Sequence, residues 1–272
     1  GHGMFHDVSK AAGVTMGRWA WSSLFTDLNN DGWDDLVVAN GLWTAPDPED
    51  LQSFFWRQVV SRSPATAVDH ESASDYLKTM SQLFELRSYG RSMGGQERNC
   101  AYLNTGGGTA GESGEESGSG SRFANVSATS GLDFMDDARA VASVDWDFDG
   151  DLDLWIANRT APQLRFVRND APADSHFLLL RLEGKLCNRD AIGARVEVHL
   201  GGGARLIKSL QAGGGFLAQS SKWVHFGLGE HNAIEELVVY WPGGTAETFG
   251  SVDPDHRYRL VQGSRQAKYL PL

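Results

Sequence analysis

The sequence predicts a mainly β protein in which two repeated β units are followed by a separate C-terminal β domain. Three observations support this prediction. Glycine accounts for 32 of 272 residues, well above the usual ~7%, and such a density is typical of many tight turns. The segment 5–40 matches the segment 123–158 without a gap. Beyond residue 174, short β runs alternate with turns and show no convincing helical periodicity.

Composition and charge narrow the class of protein. The chain has 24 basic and 35 acidic residues and a net charge of -11, which argues against a surface that follows nucleic-acid phosphates. Hydrophobic residues make up 41% of the chain, enough for a folded core, and no apolar run approaches the ~20 residues that span a bilayer. We therefore expect neither a nucleic-acid partner nor membrane insertion. Cys100 and Cys187 are too few for a disulfide scaffold, and one disulfide or two thiols both fit.

The internal repeat defines the unit of the first domain. An offset of 118 residues superimposes the two segments, and twelve of the 36 aligned positions are identical. Asn40 and Asn104 are 64 residues apart, whereas their counterparts Asn158 and Asn169 are 11 apart, so the first copy carries an insertion of 64 - 11 = 53 residues. Removing the insertion leaves a period of 118 - 53 = 65 residues, which suits one four-stranded propeller blade.

The insertion, about residues 44–98, is predicted to be helical. Asp47-Pro48-Glu49-Asp50 has the N-cap carboxylate and the early proline of a helix start. Apolar residues then recur on one helical face from residue 51 to residue 59. A second helix is expected at about residues 74–86. Residues 106–121 are almost entirely Gly, Ser and Glu and are predicted to form a flexible loop.

The C-terminal part of the chain is predicted to be a small β-sandwich or barrel. Seven candidate strands lie between residues 173 and 272. The stretch 169–174 is typical of a linker, so we place the two domains at 1–172 and 173–272. None of the eight histidines has a close partner with metal-ligand spacing. They are interpreted as ordinary surface or core residues, and His225, inside a candidate strand, is the one that we single out.

The residues that carry chemistry lie in two acidic loops at the same place in each repeat. The first loop, DLNNDGWDD, and the second, DWDFDGDLD, place oxygen-bearing side chains at positions 1, 3, 5 and 9 and a glycine at position 6. Position 7 offers a backbone carbonyl. The predicted ligands are Asp27, Asn29, Asp31, the Trp33 carbonyl and Asp35 in the first loop, and Asp145, Asp147, Asp149, the Asp151 carbonyl and Asp153 in the second.

This ligand pattern favours calcium at both loops. Alternating oxygen ligands around a sharp turn suit Ca²⁺, which accepts about six to eight oxygens, better than Mg²⁺, which demands a tight octahedron. A helix-loop-helix calcium hand would need Glu at position 12, where the chain has Val38 and Ile156. Asp, Asn and Gly are also ordinary turn residues. Two copies in register, with seven carboxylates that would repel one another without a counter-ion, nevertheless favour two calcium sites.

Two stretches of the sequence resemble known families. FTDLNNDGWDDLVVANG and VDWDFDGDLDLWIAN, each preceded by an FxxVSxxxG segment, resemble FG-GAP (VCBS-type) repeats of the integrin-α-like β-propeller. The segment from NRDAIGARVEVHLGGG through LQAGGGFLAQSSKWVHFGLG to VVYWPGG resembles an ASPIC/UnbV domain, the module at the C-terminal end of cartilage acidic protein and its bacterial relatives. Together they cover nearly the whole chain apart from the helical insertion.

The resemblance implies β-propeller-type blades, a calcium-binding role for the loop residues named above, and a secreted, periplasmic or cell-surface location. Because two blades do not close a ring and would leave open sheet edges, we expect either part of a larger propeller or an unusual non-propeller arrangement.

These observations lead us to expect a calcium-binding scaffold or binding module, with a protein or a glycan as its partner, rather than an enzyme. The alternative is an enzyme or accessory protein of bacterial natural-product or polysaccharide metabolism, since relatives of the UnbV type are associated with natural-product gene clusters. A concave pocket with convergent titratable groups away from the acidic loops would favour the alternative. A purely structural calcium-stabilised element would have no such pocket.

Overall fold

The structure, a computed structural model, describes residues 5–64, 70–106, 122–170, 175–244 and 246–271. Within these ranges the chain is mainly β, as the sequence predicts. The strands of the repeat region are β1 (Ala20–Thr26), β2 (Asp35–Asn40), β3 (Asp47–Asp50), β4 (Arg91–Ser92), β5 (Cys100–Asn104), β6 (Phe123–Asn125), β7 (Ala138–Val144), β8 (Asp153–Asn158) and β9 (Leu164–Val167). Its helices are α1 (Ser9–Ala12), α2 (Gln52–Phe54) and α3 (His70–Ser88). The predicted flexible loop 106–121, after Gly106, and most of the predicted linker lie outside the described residues.

Each sequence repeat forms an antiparallel sheet. Blade 1 has the strand order β1-β2-β5-β6, and blade 2 has the order β7-β8-β9. The strand registers are equivalent, because Thr26 pairs with Asp35 in blade 1 as Val144 pairs with Asp153 in blade 2. Strand β6 belongs to the segment that opens the second repeat, so the next repeat along the chain supplies the outer strand of blade 1. These sheets are the propeller-type blades that the repeat predicts.

The two blades pack against each other through a small apolar core. Val37, Ala39 and Ala101 of blade 1 share this core with Ala138 and Val141 of blade 2. Several of these side chains are alanine, which lets the two sheets approach closely.

The first helix of the insertion does not begin at the predicted residues. Residues Asp47–Asp50, expected to begin a helix, form β3 and pair in parallel with β4. The Asp50 carboxylate accepts the N–H of Gln52 at 2.7 Å and also the N–H groups of Gly94 and Gly95. Long-range pairing therefore overrides the local helix-start signal, and the helix begins at Gln52 and continues through a π-helical turn at Phe55–Val59.

Trp43 fastens the insertion to the body of the protein. The guanidinium carbons of Arg87 in α3 and Arg159 beyond β8 lie 3.9 and 3.4 Å from the centre of its ring. Such cation–π contacts each contribute about 0.5–2 kcal/mol. Among the described residues, no helix has the length and apolar character needed to cross a bilayer.

The C-terminal domain is a β-sandwich. Its strands are β10 (His176–Glu183), β11 (Arg195–Leu200), β12 (Arg205–Ser209), β13 (Trp223–Gly229), β14 (Ile234–Tyr240), β15 (Ala246–Phe249), β16 (His256–Val261) and β17 (Ala267–Leu270). They form two four-stranded sheets, β13-β10-β16-β17 and β12-β11-β14-β15, around a shared core that includes Phe226 and Leu180. The sequence missed β17, because this four-residue edge strand has little apolar alternation. Cys100 and Cys187 are both free thiols.

Strand β13 lies across the acidic loops of both blades. The N–H of Gly229 donates to the carbonyl of Asn30 at 2.8 Å. On the second loop, the Phe148 and Trp223 rings meet edge to face with centroids 6.3 Å apart. The close approach depends on Gly227, where a Cβ would lie 2.2 Å from Asp27 Oδ2 and 2.5 Å from the Asn30 Cα.

Gly227→Ala is therefore expected to lower the free energy of unfolding by about 1–3 kcal/mol, because the added methyl group meets backbone that cannot yield easily. Urea denaturation of the variant against the parent measures the effect. Gly250→Ala is the matched control, since its Cβ would meet nothing within 4 Å. Equal stability of the two variants would contradict this domain packing.

Candidate metal centre

The two acidic loops, residues 27–35 and 145–153, have the same internal hydrogen bonds. The position-9 carboxylate closes each loop. Asp35 accepts the N–H of Leu28 at 2.9 Å and of Asn104 at 2.7 Å. Asp153 accepts the N–H of Trp146 at 2.9 Å and of Asn169 at 2.8 Å. Both oxygens of each carboxylate thus already bind backbone amides. The bond to Asn104 ties the first loop to β5, and the bond to Asn169 ties the second loop to the segment after β9.

In each position-1 aspartate, only one of the two carboxylate oxygens has a hydrogen-bond partner. Asp27 Oδ2 accepts the N–H of Gly32 at 2.9 Å, and Asp145 Oδ2 accepts that of Gly150 at 3.2 Å. The other oxygen, Oδ1, is buried in both residues and has no hydrogen-bond partner among the described residues. A buried carboxylate oxygen without a partner costs several kcal/mol unless a cation or donor meets it. The unpartnered oxygens therefore fit a metal ligand at position 1 of each loop.

The loop backbone bends where the sequence predicts. Gly32 and Gly150 at position 6 have φ angles of 88° and 100°, a conformation that favours glycine. Asn30 and Phe148 at position 4 are also left-handed, with φ angles of 59° and 61°. The same two bends therefore occur at positions 4 and 6 of both loops.

The second loop brings its acidic side chains together. Carboxylate oxygens of Asp145, Asp147 and Asp149 all lie within 4.8 Å of one another. Asp145 is buried, while Asp147 and Asp149 are exposed, so a cation has a route from solvent. Asp151, at position 7, turns its N–H toward Asp149 Oδ1 at 3.0 Å. Three converging carboxylates are a suitable set of oxygen ligands for a hard divalent cation.

The first loop is arranged differently. Asn29 Nδ2 donates to Asp31 Oδ2 at 2.9 Å, and the N–H of Trp33 donates to Asp31 Oδ1 at 2.8 Å. Within the described residues this loop forms no group of three acidic side chains like that of the second loop. Its position-3 residue is an amide rather than a carboxylate, and the Asp31 carboxylate is engaged by the loop itself.

Sequence reasoning missed the residue that joins the two loops. Asn30 Nδ2 donates to Asp151 Oδ1 at 2.7 Å and to the Gly150 carbonyl at 3.2 Å. Asp151 was expected to contribute its carbonyl, but its side chain is buried and has this second role. The repeat gave no signal of the contact, because position 4 is Asn30 in one copy and Phe148 in the other.

The C-terminal domain covers the loops. His225 Nε2 lies 2.9 Å from the Gly150 carbonyl, and Lys208 Nζ lies 3.0 Å from Asp34 Oδ1. Gly150 packs under the Phe177 ring, which a Cβ there would approach to 2.2 Å. The histidine that the sequence singled out is thus a contact to the second loop.

Burial makes the loop carboxylates hard to ionise. Burial is the main reason why the pKa of Asp27 and of Asp145 rises to about 7. It also raises the pKa of Asp35 and of Asp151 to about 6. The pKa of Asp153 is raised for the same reason. Neighbouring carboxylates in the same loop add to the effect. A bound divalent cation would reverse it, because opposite charge favours the ionised form.

The metal-free protein is therefore expected to lose stability as the pH rises through 7. Each of these carboxyls holds its proton more tightly in the folded than in the unfolded chain, where the pKa is about 3.8. Its contribution to stability is present below that value and is lost as the pH rises through about 6 to 7.

Urea unfolding in EDTA at a series of pH values measures this loss. His225 acts with the opposite sign between about 4 and 6.5, because burial lowers its pKa to about 4. One imidazole offsets only one of the raised carboxyls, so a net loss of stability is expected between about pH 4 and 7. Excess Ca²⁺ is expected to abolish the loss. Stability in EDTA that stays constant across this range would contradict the expectation.

Two family models match the chain. The FG-GAP repeat model matches residues 19–50, which contain the first loop, and the ASPIC and UnbV model matches residues 184–267. No curated protein matches it. The match at 19–50 agrees with blade 1, and the equivalent registers extend the repeat to blade 2. The chain therefore combines an FG-GAP repeat architecture with a C-terminal ASPIC/UnbV domain.

Proposed function

We propose that this protein is a calcium-stabilised binding or scaffold module of the secreted, periplasmic or cell-surface type, with one Ca²⁺ site in each acidic loop. FG-GAP and ASPIC/UnbV domains are modules of an extracellular binding or scaffold type. The observation that carries the calcium assignment is the buried, unpartnered Oδ1 atom of Asp27 and of Asp145 at the same position in two loops.

Each loop position has a distinct task in this proposal. Positions 1, 3 and 5, together with the position-7 carbonyl, hold the ion. The position-9 carboxylate shapes the loop by accepting two backbone N–H groups, and it remains a candidate ligand through its second lone pairs. A bound Ca²⁺ supplies positive charge where several carboxylates are buried. Because β13 covers both loops, neutralising them stabilises the contact between the blades and the ASPIC/UnbV domain.

The surface beside the loops favours a binding role over an enzymatic one. A cleft of about 580 Å³ lies between β1 and the C-terminal domain. Its titratable residues are Asp34 and Lys208, which pair with each other, and the buried His225. The rest of its wall combines six serine or threonine residues, three glycines and Gln211 with seven apolar or aromatic residues. Such a lining suits recognition of a ligand better than proton transfer or nucleophilic attack.

Calcium is expected to raise the melting temperature of the protein. At a free concentration 100 times the dissociation constant, each occupied site adds about 2.7 kcal/mol to the free energy of unfolding. The double variant Asp31→Ala with Asp149→Ala is expected to lose the shift. Differential scanning calorimetry with Ca²⁺ and with EDTA measures both.

Asp75→Asn is the matched control, since Asp75 is an exposed acid on α3, away from both loops. It should retain the full calcium shift. If the parent protein melts at the same temperature with Ca²⁺ and with EDTA, the calcium proposal is wrong.

The two sites are expected to differ in affinity. The second loop has a carboxylate at position 3, whereas the first has Asn29. Asn29→Asp gives the first loop the same acidic pattern and is expected to tighten its Ca²⁺ affinity about tenfold, or about 1.4 kcal/mol. Calorimetric titration resolves the weaker site, and Asn232→Asp, at an exposed position outside the loops, is the control. Unchanged affinity would show that Asn29 does not face the ion.

A further inference from the structure

Blade 2 lacks the outer strand that blade 1 has. In blade 1, the segment that opens the second repeat supplies β6, and Asn125 of this strand pairs with Tyr102 of β5. Within the described residues, blade 2 ends at β9, whose outer edge pairs with no further strand. An open edge of this kind presents unpaired backbone groups, so it readily accepts an added strand.

The chain also carries a second copy of the outer-strand segment. Residues 5–7 open the first repeat and are equivalent to β6 by the offset of 118 residues. They belong to no strand of the described structure, and the Phe5 side chain is fully exposed. Its equivalent, Phe123, packs against Leu36 and Tyr102 on one face of blade 1. The first repeat thus offers an outer strand, and blade 2 has a place for one.

One face of blade 2 is uncovered although the same face of blade 1 is buried. Side chains with which blade 1 contacts blade 2 have equivalents at the same positions of the second repeat. These are Leu28, Val37 and Ala101 in blade 1 and Trp146, Trp155 and Phe166 in blade 2.

In blade 2 these equivalents form an exposed aromatic cluster. The three ring centroids lie 4.8–5.9 Å apart. Trp146 is 59% exposed and Phe166 is 37% exposed, whereas Val37 and Ala101 in blade 1 are each 1% exposed. Contiguous apolar side chains on a surface mark a place where another protein surface packs. The cluster therefore lies where the next blade would pack.

The opposite end of the two-blade stack is exposed in the same way. At the junction between the blades, the second repeat contributes Val126 and Phe134, which pack against the shared core. Their equivalents in the first repeat, Val8 and Met16, are 61% and 55% exposed. The two outer ends of the stack thus correspond to the two sides of the junction that the blades already form with each other.

We propose that copies of this protein associate head to tail. Residues 5–7 of one copy add a strand to β9 of the next, and blade 1 of the first copy packs on the aromatic cluster of the second. Because such an interface joins two different surfaces, association continues until a ring closes. A propeller has about four to eight blades, so two blades per copy give a ring of about two to four copies. The inference goes beyond the calcium proposal, since strand pairing and apolar packing carry it.

Size-exclusion chromatography with light scattering, at protein concentrations from micromolar to millimolar, tests the association. The parent protein is expected to show a mass that rises with concentration from one chain toward about two to four chains. A mass of one chain at every concentration overturns the proposal.

Phe5→Asp tests the surface that supplies the strand. Because the Phe5 side chain is fully exposed, the substitution leaves the fold of a single copy intact. It is expected to weaken association at least about tenfold, since a charge would enter an apolar junction. Leu186→Asp, at a position that is 93% exposed in the C-terminal domain, is the matched control and should associate as the parent does. Equal association of Phe5→Asp and the parent contradicts the proposal.

Phe166→Asp tests the surface that accepts the strand, and its melting temperature checks that it remains folded. If it does not, Trp146→Ala replaces it, because that ring is 59% exposed. Each variant keeps one intact surface. A mixture of Phe5→Asp with Phe166→Asp is therefore expected to form pairs, although neither variant associates on its own. A mixture that stays at the mass of one chain would show that the two surfaces do not bind each other.

Discussion

Burial of carboxylates at a domain interface is the constraint on which the rest of this structure depends. Asp27 and Asp35 are fully buried, and Asp153 is 1% exposed. Each carboxylate oxygen in such a place needs a backbone donor, a side-chain donor or a cation. Backbone N–H groups bond to both carboxylate oxygens of Asp35 and Asp153. They bond to only one oxygen of Asp27 and of Asp145. The oxygens that remain define where a cation fits.

The same constraint explains why the two loops and the C-terminal domain form one unit. Asn30 reaches from the first loop to Asp151 and the Gly150 carbonyl in the second. Strand β13 then closes over both loops, through Gly229 on the first and His225 on the second. The acidic loops therefore hold the blades and the C-terminal domain together, and they are also candidate ion sites. The carboxylates proposed to hold an ion therefore lie where the domains pack, as the approach of Gly227 to Asp27 shows.

His225 connects the two candidate sites physically. Its Nε2 atom contacts the carbonyl of Gly150 inside the second loop, and the residue also lies at the cleft between β1 and the C-terminal domain. The ASPIC/UnbV domain thus contributes one face to the loops and another to the cleft.

The sequence by itself determined what repeats locally: the two blades with their equivalent strands, the acidic loops with glycine at position 6, and most strands of the C-terminal domain. These follow from short-range periodicity, from turn geometry and from the ligand types that recur at fixed spacing. Tertiary structure alone decided the features that depend on distant residues. Pairing with β4 turned Asp47–Asp50 into a strand, Asn30 met Asp151 across 121 positions of the chain, and the cleft arose between β1 and β13. A helix-start signal or a turn asparagine looks the same in the sequence whatever it later contacts, so the long-range partner, which sets burial and hydrogen bonding, had to come from the fold.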